Sequence, residues 1–240
     1  MRIRTSKLHQ QISPQIARDI VSHRLPAGST IPSEPQLVST YDVSKTVARE
    51  TVQALEAAGL VRVQHGKRTV VLGEEDWNLL NSLVQEAFRA ERLAGPVINE
   101  LYEVRLQLEP QAARWAAMRA SPEQVAQIWL ILEAMRESLM LTQRFLDHDR
   151  DFHVAIVRAA SNRVLSAVLR DIHELLTTSW VLTKLSIEDV RTVFSHHERI
   201  AVAIRNGKPA DAESAMREHL EWAVQKDRFV TSGAEVSAGA

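Results

Sequence analysis

The chain has 240 residues, of which 45% are hydrophobic and 25% are charged, so it can bury the core of one large domain or two modest ones. This composition excludes a disordered chain. No apolar run approaches the roughly 20 residues that a membrane span needs, and the N-terminus lacks the apolar core of a signal peptide. With no cysteine, the sequence excludes disulfides and thiolate metal sites. We therefore expect a cytoplasmic protein with no membrane partner.

The charge is distributed unevenly along the chain. Residues 1–72 carry 10 Lys and Arg against 5 Asp and Glu, a net charge of +5, which leaves −6 on the remainder. A basic N-terminal third on an acidic body suits a DNA-binding head joined to a body with another role. Many soluble enzymes show a similar imbalance, so the charge alone does not decide between the two classes.

Three short helices are predicted in this basic third. Isoleucines at 12, 16 and 20 predict a first helix with one buried stripe. Ser33 opens a second helix, and Ser44 is a good N-cap for a third. Two β-like runs, 60–64 and 69–72, then flank a hairpin tip. Three helices followed by a small hairpin predict a winged helix-turn-helix domain over residues 1–72.

The outer face of the third helix and the hairpin tip carry the candidate DNA contacts. In a helix-turn-helix, the first residues of the recognition helix meet base edges, while amides and basic side chains hold phosphates. The alternative is that these are ordinary solvated polar residues of a small domain. The candidate DNA-binding residues are Ser44, Lys45, Thr46, Arg49, His65, Gly66 and Lys67.

The rest of the chain is predicted to be almost entirely helical. Residues 73–96 are interpreted as a linker and a linking helix, the latter near 78–91. Six further helices are expected within 97–229, and residues 230–240 are expected to be a disordered tail. The predicted fold class is mostly α: an N-terminal winged helix-turn-helix plus an all-α helical-bundle effector domain.

Four polar residues fall inside the apolar stripes of three of these helices: Asp149, His153, His197 and His219. Burying a carboxylate is unfavourable unless it is paired or bound to a metal, and one Asp with three His can enclose a divalent ion. Zinc, nickel, iron and manganese all suit such a nitrogen-rich set. The alternatives are a surface pair of Asp149 with His153, and ordinary core histidines.

Arg105 is a fifth polar residue inside an apolar stripe. The inward residues predicted for its helix, 97–119, include Leu101, Val104 and Ala112. A buried guanidinium needs an anion. Glu109, one turn later, is the internal partner, and the carboxylate of a small ligand is the functional alternative.

The N-terminal third resembles the GntR family of bacterial regulators. The resemblance is carried by Leu25-Pro26-Ala27-Gly28, by 31–34, by Val43-Ser44-Lys45-Thr46-Val47-Ala48-Arg49-Glu50, and by 55–67. It implies a dimer that reads a short pseudo-palindromic operator, with the strongest base contact from Arg49. The family usually has Arg where this chain has Pro35 and Lys45. Because only Arg makes bidentate contacts, the resemblance implies a variant operator or binding weaker by about 1–3 kcal/mol per lost contact.

The helical body resembles the FCD effector domain of the FadR subfamily. The matching residues are 103–110, Asp149-x-x-x-His153, His197-Glu198-Arg199-Ile200 and Met216…His219-Leu220. The resemblance implies that Asp149 and the three histidines bind a metal, that a ligand carboxylate coordinates it, and that Arg105 lines the same pocket. His196 beside His197 leaves an alternative register, against which the positions of the later isoleucines argue.

Residues 76–81, Asp-Trp-Asn-Leu-Leu-Asn, are similar to the linker of members that respond to sugar acids. This similarity implies a sugar-acid effector, with Arg105 for the carboxylate and with Asn162 and Trp180 for a polyol tail. Asn162 also suits a helix cap, and Trp180 also suits a core position.

Together these resemblances imply a cytoplasmic, homodimeric regulator that represses a catabolic operon and is not an enzyme. One rival is a metal-dependent hydrolase, in which Asp147, Asp151 or Glu198 would act as the general base. The other is a regulator whose metal is structural or is itself the signal.

Overall fold

The computed structural model describes residues 6–64, 68–91, 94–179 and 186–237, and the chain divides into two compact units between Ala94 and Gly95. The described residues form helices almost throughout, which confirms the mostly-α prediction. The elements are α1 Ser6–Val21, α2 Glu34–Tyr41, α3 Lys45–Ala57, β1 Val61–Val63, β2 Thr69–Val71, α4 Ser82–Ala90, α5 Ala94–Arg119, α6 Pro122–Glu137, α7 Thr142–Ala159, α8 Arg163–Ser179, α9 Ile187–Arg205 and α10 Pro209–Ser237.

The first unit contains the predicted three helices and hairpin. Ile12, Ile16 and Ile20 of α1 are each at most 4% exposed, which confirms the predicted stripe. They share one core with Leu37 of α2 and Leu55 of α3. Burial of these side chains stabilises the small unit by about 1.5–3 kcal/mol for each fully buried residue.

Local signals set the turn between α2 and α3. α2 ends where Asp42 takes up a left-handed conformation, with φ of 50°, which Asp tolerates better than most residues. α3 then begins because the Ser44 hydroxyl accepts a hydrogen bond from the Val47 amide at 3.3 Å. The structure therefore confirms Ser44 as the N-cap of the third helix.

The hairpin is a two-stranded antiparallel sheet. Its register pairs Val61 with Val71 and Val63 with Thr69, and Thr30 adds an isolated bridge to Val70. His65, Gly66 and Lys67, the predicted wing tip, lie outside the described residues. The described strands match the two β-like runs of the sequence.

The predicted linking helix packs inside the first unit. α4 begins at Ser82 because Asn81 caps it, accepting a hydrogen bond from the Leu83 amide at 2.9 Å. Val84 and Trp77 belong to the same core as α1 and α3. Much of the segment interpreted as a linker is thus part of the first unit, since its apolar side chains complete that unit's core.

The second unit consists of α5–α10. Neighbouring pairs are α6 with α7 and with α9, α7 with α8, and α9 with α10. Phe145, Phe152 and Ile156 of α7 are fully buried, as their spacing predicts. An all-helical bundle over this part of the chain is therefore confirmed.

The inward face of α5 differs from the prediction. Val104, predicted to face inward, is 40% exposed, whereas Arg105 is buried as predicted, together with Glu109. Pro110 lies within the helix and cannot donate to the Leu106 carbonyl four residues earlier. The Arg217 side chain of α10 donates to that carbonyl instead, at 3.4 Å. A hydrogen bond between two helices thus replaces the missing backbone hydrogen bond of α5.

The end of α10 also differs from the sequence expectation. α10 continues to Ser237, whereas the sequence predicts an end at 229 and a disordered tail over 230–240. A single glycine at 233 costs about 1 kcal/mol in a helix and is insufficient to end one of this length. α8 is described as far as Ser179, so Trp180 lies outside the described residues.

Gly59 is expected to be essential to the first unit. It has φ of +70°, and an added Cβ would collide with the Asp76 carbonyl oxygen and lie 3.0 Å from the Asn78 amide nitrogen. Gly59→Ala should destabilise the protein by about 1–2 kcal/mol from its backbone conformation and by about 1–3 kcal/mol more from the collision. Calorimetric unfolding of the full chain measures the loss.

Gly28→Ala is the matched control, because Gly28 has φ of +81° and no atom within 4 Å of an added Cβ. It should lose only the conformational part, about 1–2 kcal/mol. Equal losses for the two variants would contradict the role assigned to the close backbone approach at Gly59.

Candidate functional site

The first turns of α3 form an exposed polar face. Ser44, Lys45, Thr46 and Arg49 are all exposed, while Val47, on the opposite side of the helix, is buried in the core. This is the arrangement in which a helix can present side chains to a DNA groove.

The structure brings together the four residues singled out in the helical body. One ligand atom from each of Asp149, His153, His197 and His219 lies within 4.8 Å of all the others, and all four residues are buried. They come from α7, α9 and α10. Asp149 and His153 are one turn apart on the buried face of α7, so the fold places both at one point.

The ring nitrogens converge closely. His153 Nε2 lies 3.2 Å from His219 Nε2 and 3.3 Å from His197 Nε2, and the last atom is 3.3 Å from Asp149 Oδ1. His197 is completely buried in this cluster, whereas His196 is half-buried beside the Trp222 ring. The register predicted from the later isoleucines is the one found.

Burial dominates the electrostatics of the cluster. It raises the pKa of Asp149 to about 8 and lowers the pKa of His153 to about 4. Desolvation, together with repulsion between the neighbouring rings, also lowers the pKa of His197 and of His219 well below the usual range. The histidines are therefore neutral, each with a lone pair to offer.

These residues fit a divalent metal ion. Neutral imidazole nitrogens 3.2–3.3 Å apart can share a proton in a hydrogen bond, and the same nitrogens can instead direct their lone pairs at one central cation. Among the described residues, Asp149 Oδ2 has no hydrogen-bond partner although it is buried. A buried carboxylate oxygen in that state is stabilised by coordination to a metal. Three nitrogens and one carboxylate can hold the ion, and the chemistry favours a first-row transition metal or zinc.

A second buried group adjoins the cluster. The Glu109 carboxylate accepts hydrogen bonds from Arg105 Nε and His153 Nδ1, and from His173 Nε2 at 2.9 Å. Burial raises the pKa of Glu109, but Arg105 and the two histidines outweigh it and hold this pKa well below its usual range. Glu109 is thus a buried carboxylate with three donors around it.

Sequence reasoning found Arg105 and its partner but missed His173. The internal Arg105–Glu109 ion pair is present, with both side chains 1% exposed. His173 follows Leu169 by one turn on the buried face of α8, so the stripe criterion used for the other histidines could have found it.

Asn162 caps α8. Its side-chain oxygen accepts hydrogen bonds from the Val164 and Leu165 amides, both at 3.1 Å. It also lines an open groove of about 560 Å³ that reaches His173 and carries Arg158 and Arg170. The capping role is therefore present, and a ligand contact at Asn162 stays a prediction.

Two of the candidate bases of the hydrolase alternative are engaged elsewhere. Asp151 pairs with Arg150 at 2.9 Å, and Glu198 pairs with Arg136 at 3.2 Å, both on partly exposed surface. Asp147, the third, is outside the group of converging ligand atoms.

Comparison with known proteins decides the class of protein. Residues 8–71 match the family described as bacterial regulatory proteins, gntR family, and residues 100–221 match the FCD domain. The chain is a member of the GntR family with an FCD domain. It is therefore a DNA-binding transcription regulator rather than an enzyme, which overturns the hydrolase alternative.

Related regulators are similar in sequence to this chain over nearly its whole length. The regulator is 30% identical over 220 residues to the HTH-type transcriptional regulator Mce2R of Mycobacterium tuberculosis, covering 89% of each chain. It is 26% identical over 221 residues to the HTH-type transcriptional repressor NanR of Cronobacter sakazakii, covering 89% of this chain and 83% of NanR.

Solved structures share the fold. Streptococcus agalactiae GntR aligns over 91% of this regulator and 100% of its own chain, with 21% identity and a TM-score of 0.50. Lar, which controls the expression of the Listeria monocytogenes agr system, aligns over 92% of this regulator and 97% of its own chain, with 14% identity and a TM-score of 0.58. None of the described helices combines the length and the apolar character needed to cross a bilayer.

Asp149→Asn should separate metal binding from simple core packing. The amide keeps the shape of the buried side chain but supplies no negative charge to an ion. Zinc at 100 times its dissociation constant should stabilise the wild type by about 2.7 kcal/mol, and the variant should lose most of that gain. Thermal unfolding with zinc and with chelator measures both.

Asp151→Asn is the matched control on the same helix. Its exposed pair with Arg150 contributes at most about 1 kcal/mol, so its response to zinc should equal that of the wild type. If zinc stabilised the Asp149 and Asp151 variants equally, the four-residue cluster would not be a metal site.

Proposed function

We propose that this regulator is a homodimeric repressor of a catabolic operon that leaves its operator when a small carboxylate binds at a metal centre. The observation that carries the proposal is the convergence of four side chains in the bundle core: Asp149, His153, His197 and His219. Arg105 is linked to this cluster through Glu109, which accepts hydrogen bonds from both Arg105 and His153. Repression is supported by the relatives named NanR, which are described as transcriptional repressors.

Zinc is the proposed ion, with nickel, iron and manganese as the other candidates. The buried set of three imidazoles and one carboxylate supports zinc, which prefers four nitrogen, oxygen or sulfur ligands. Such an ion supplies a Lewis-acidic centre to which a carboxylate oxygen can bind.

The proposed effector is a sugar acid. Arg105 is the residue proposed to attract its carboxylate, because a guanidinium in a desolvated site binds carboxylates strongly. Asn162 and Trp180 are proposed for the hydroxyl groups of a polyol tail. Asn162 is supported by its position on the wall of the groove that reaches His173.

DNA recognition is proposed for α3 and the wing. Ser44, Lys45, Thr46 and Arg49 would meet the major groove, and His65, Gly66 and Lys67 would contact the adjacent backbone or groove. The exposure of the four α3 residues supports this assignment. Two heads of one dimer would read the two halves of an operator in the cytoplasm.

The effector releases DNA only if it binds the free and DNA-bound conformations with different affinities. A coupling of about 1–3 kcal/mol, typical of allosteric proteins, would change operator affinity about 5- to 150-fold. The proposed sign is weaker DNA binding in the presence of effector.

The effector hypothesis is tested by thermal unfolding with gluconate, glucuronate, citrate and a fatty acid, each with and without zinc. One sugar acid should raise the midpoint only when zinc is present, because its carboxylate needs both the ion and Arg105. Arg105→Met should abolish the acid-induced rise; because Arg105 also holds Glu109, the acid is added at a zinc concentration that saturates both the variant and the wild type.

Arg119→Met is the control for the loss of an arginine on the same helix, since Arg119 stacks on Trp115 at the far end of α5. If no acid shifts the midpoint, and operator binding instead follows chelation alone, then the metal itself is the signal and the carboxylate proposal is wrong.

Arg49→Ala should weaken binding to the operator, selected beforehand from random-sequence DNA, by about 1–3 kcal/mol and relax the choice of one base. Fluorescence anisotropy at fixed salt measures the affinity. Arg62→Ala is the control within the same unit and should leave the base preference intact. Arg62 is an exposed residue of β1 that pairs with Asp76. An unaltered base preference in Arg49→Ala would contradict its assigned contact.

A further inference from the structure

Glu109 is a buried carboxylate of the second unit that lies outside the four-ligand cluster. Its side chain is 1% exposed. It accepts hydrogen bonds from residues on three different helices: Arg105 of α5, His153 of α7 and His173 of α8. One oxygen accepts from Arg105 and His173, and the other accepts from His153 Nδ1. Each oxygen therefore has at least one donor.

The contact with His153 has a consequence for the metal cluster. A carboxylate can only accept, so the Nδ1 atom of His153 must carry the proton. The Nε2 atom of the same ring is then left with its lone pair, and this atom lies 3.2 Å from His219 Nε2 and 3.3 Å from His197 Nε2. Glu109 thus selects the tautomer that directs a lone pair into the cluster.

Glu109, His153 and His173 also lie close enough together to suggest a second metal site. Two observations argue against it. The Arg105 guanidinium already supplies the positive charge beside Glu109, and a second cation there would be repelled. His153 Nδ1 would have to lose its proton to bind that cation. The group therefore fits a support for the first site better than a separate site.

We propose that Glu109 is a positioning residue of the metal centre, which fixes the ring orientation and tautomer of His153 while Arg105 and His173 hold Glu109 in place. This inference rests on the proposed metal site and adds to it a residue that does not touch the ion. Carboxylates that orient metal-bound histidines typically change metal affinity 10- to 100-fold when they are removed. They also make the metal-binding nitrogen of the histidine a stronger electron-pair donor to the ion.

The test measures the affinity for zinc alone by competition with a chelator. It compares the full-length wild type with the variants Glu109→Gln and Glu109→Leu. Gln keeps an acceptor oxygen but lacks the charge, and Leu lacks both. Zinc affinity should fall about 10-fold in Gln and towards 100-fold in Leu. Glu213→Gln, which alters a half-exposed carboxylate paired with Arg114, should keep wild-type affinity.

A second readout reports the tautomer directly. In metal-free protein with ¹⁵N-labelled histidine, the His153 ring should give a slowly exchanging Nδ1–H signal, assigned by its loss in His153→Asn. This signal should disappear in Glu109→Leu and weaken in Glu109→Gln, whose amide offers the three donors one acceptor oxygen instead of two. A purely structural role for Glu109 would lower metal-free stability without moving either the tautomer signal or the zinc affinity.

The outcomes separate this inference from the proposed function. If the wild type takes up no zinc, the metal centre and the role of Glu109 both fail. If the wild type binds zinc and Glu109→Gln binds it equally well with an unchanged tautomer signal, the positioning role alone fails. A variant that does not fold is recognised by its metal-free unfolding transition, and the Gln variant, with the same shape as Glu, then decides the matter.

Discussion

The second unit depends on one constraint: charged and polar side chains buried in a helical bundle must satisfy one another or an ion. Arg105 and Glu109 on α5, Asp149 on α7, and the four histidines at 153, 173, 197 and 219 all lie below 5% exposure. Leaving one such group uncompensated costs several kcal/mol, comparable to a large part of a domain's net stability. The apolar residues around them, such as Phe145 and Phe152, keep water out and so make each polar contact stronger. The same packing that stabilises the bundle therefore also assembles the buried nitrogens and carboxylate of the proposed metal site.

The helices hold this centre by different means. α7 contributes two ligand residues from one face, so their separation is fixed by helical geometry alone. The rings of α9 and α10 are fixed by packing, with His197 at 4.7 Å, ring centre to ring centre, from Phe152. α5 contributes no member of the four-ligand cluster, yet it carries Arg105 and Glu109 and is tied to α10 through the Leu106 carbonyl. A change at Arg105 is thus transmitted to a ligand through Glu109 and to a neighbouring helix through the backbone.

Much of this was predictable from the sequence, because period and capping are local properties. The isoleucines of α1, the Ser44 cap and the stripe of α7 predict the correct elements, and an Asp and three His within apolar stripes lead to the cluster. The errors arise where the burial of a residue depends on distant partners. The apolar pattern of α5 places Val104 inside, whereas the buried face of that helix carries the charged pair Arg105 and Glu109. The apolar stripe of α8 is enough to mark His173 as buried, but its partner Glu109 is 64 residues away in the sequence, and no local pattern reports that pairing.

The place of α4 has a practical consequence for dissecting the molecule. Since Trp77, Val84 and Ala87 belong to the core of the first unit, a fragment cut at residue 72 would expose the apolar surface of α1 that they cover. A self-sufficient head for chimeric regulators must extend through Glu91, whose carboxylate also binds Arg24 with two hydrogen bonds at 3.0 Å. Exchanging heads between related regulators should therefore join the two sequences after α4 rather than after the wing.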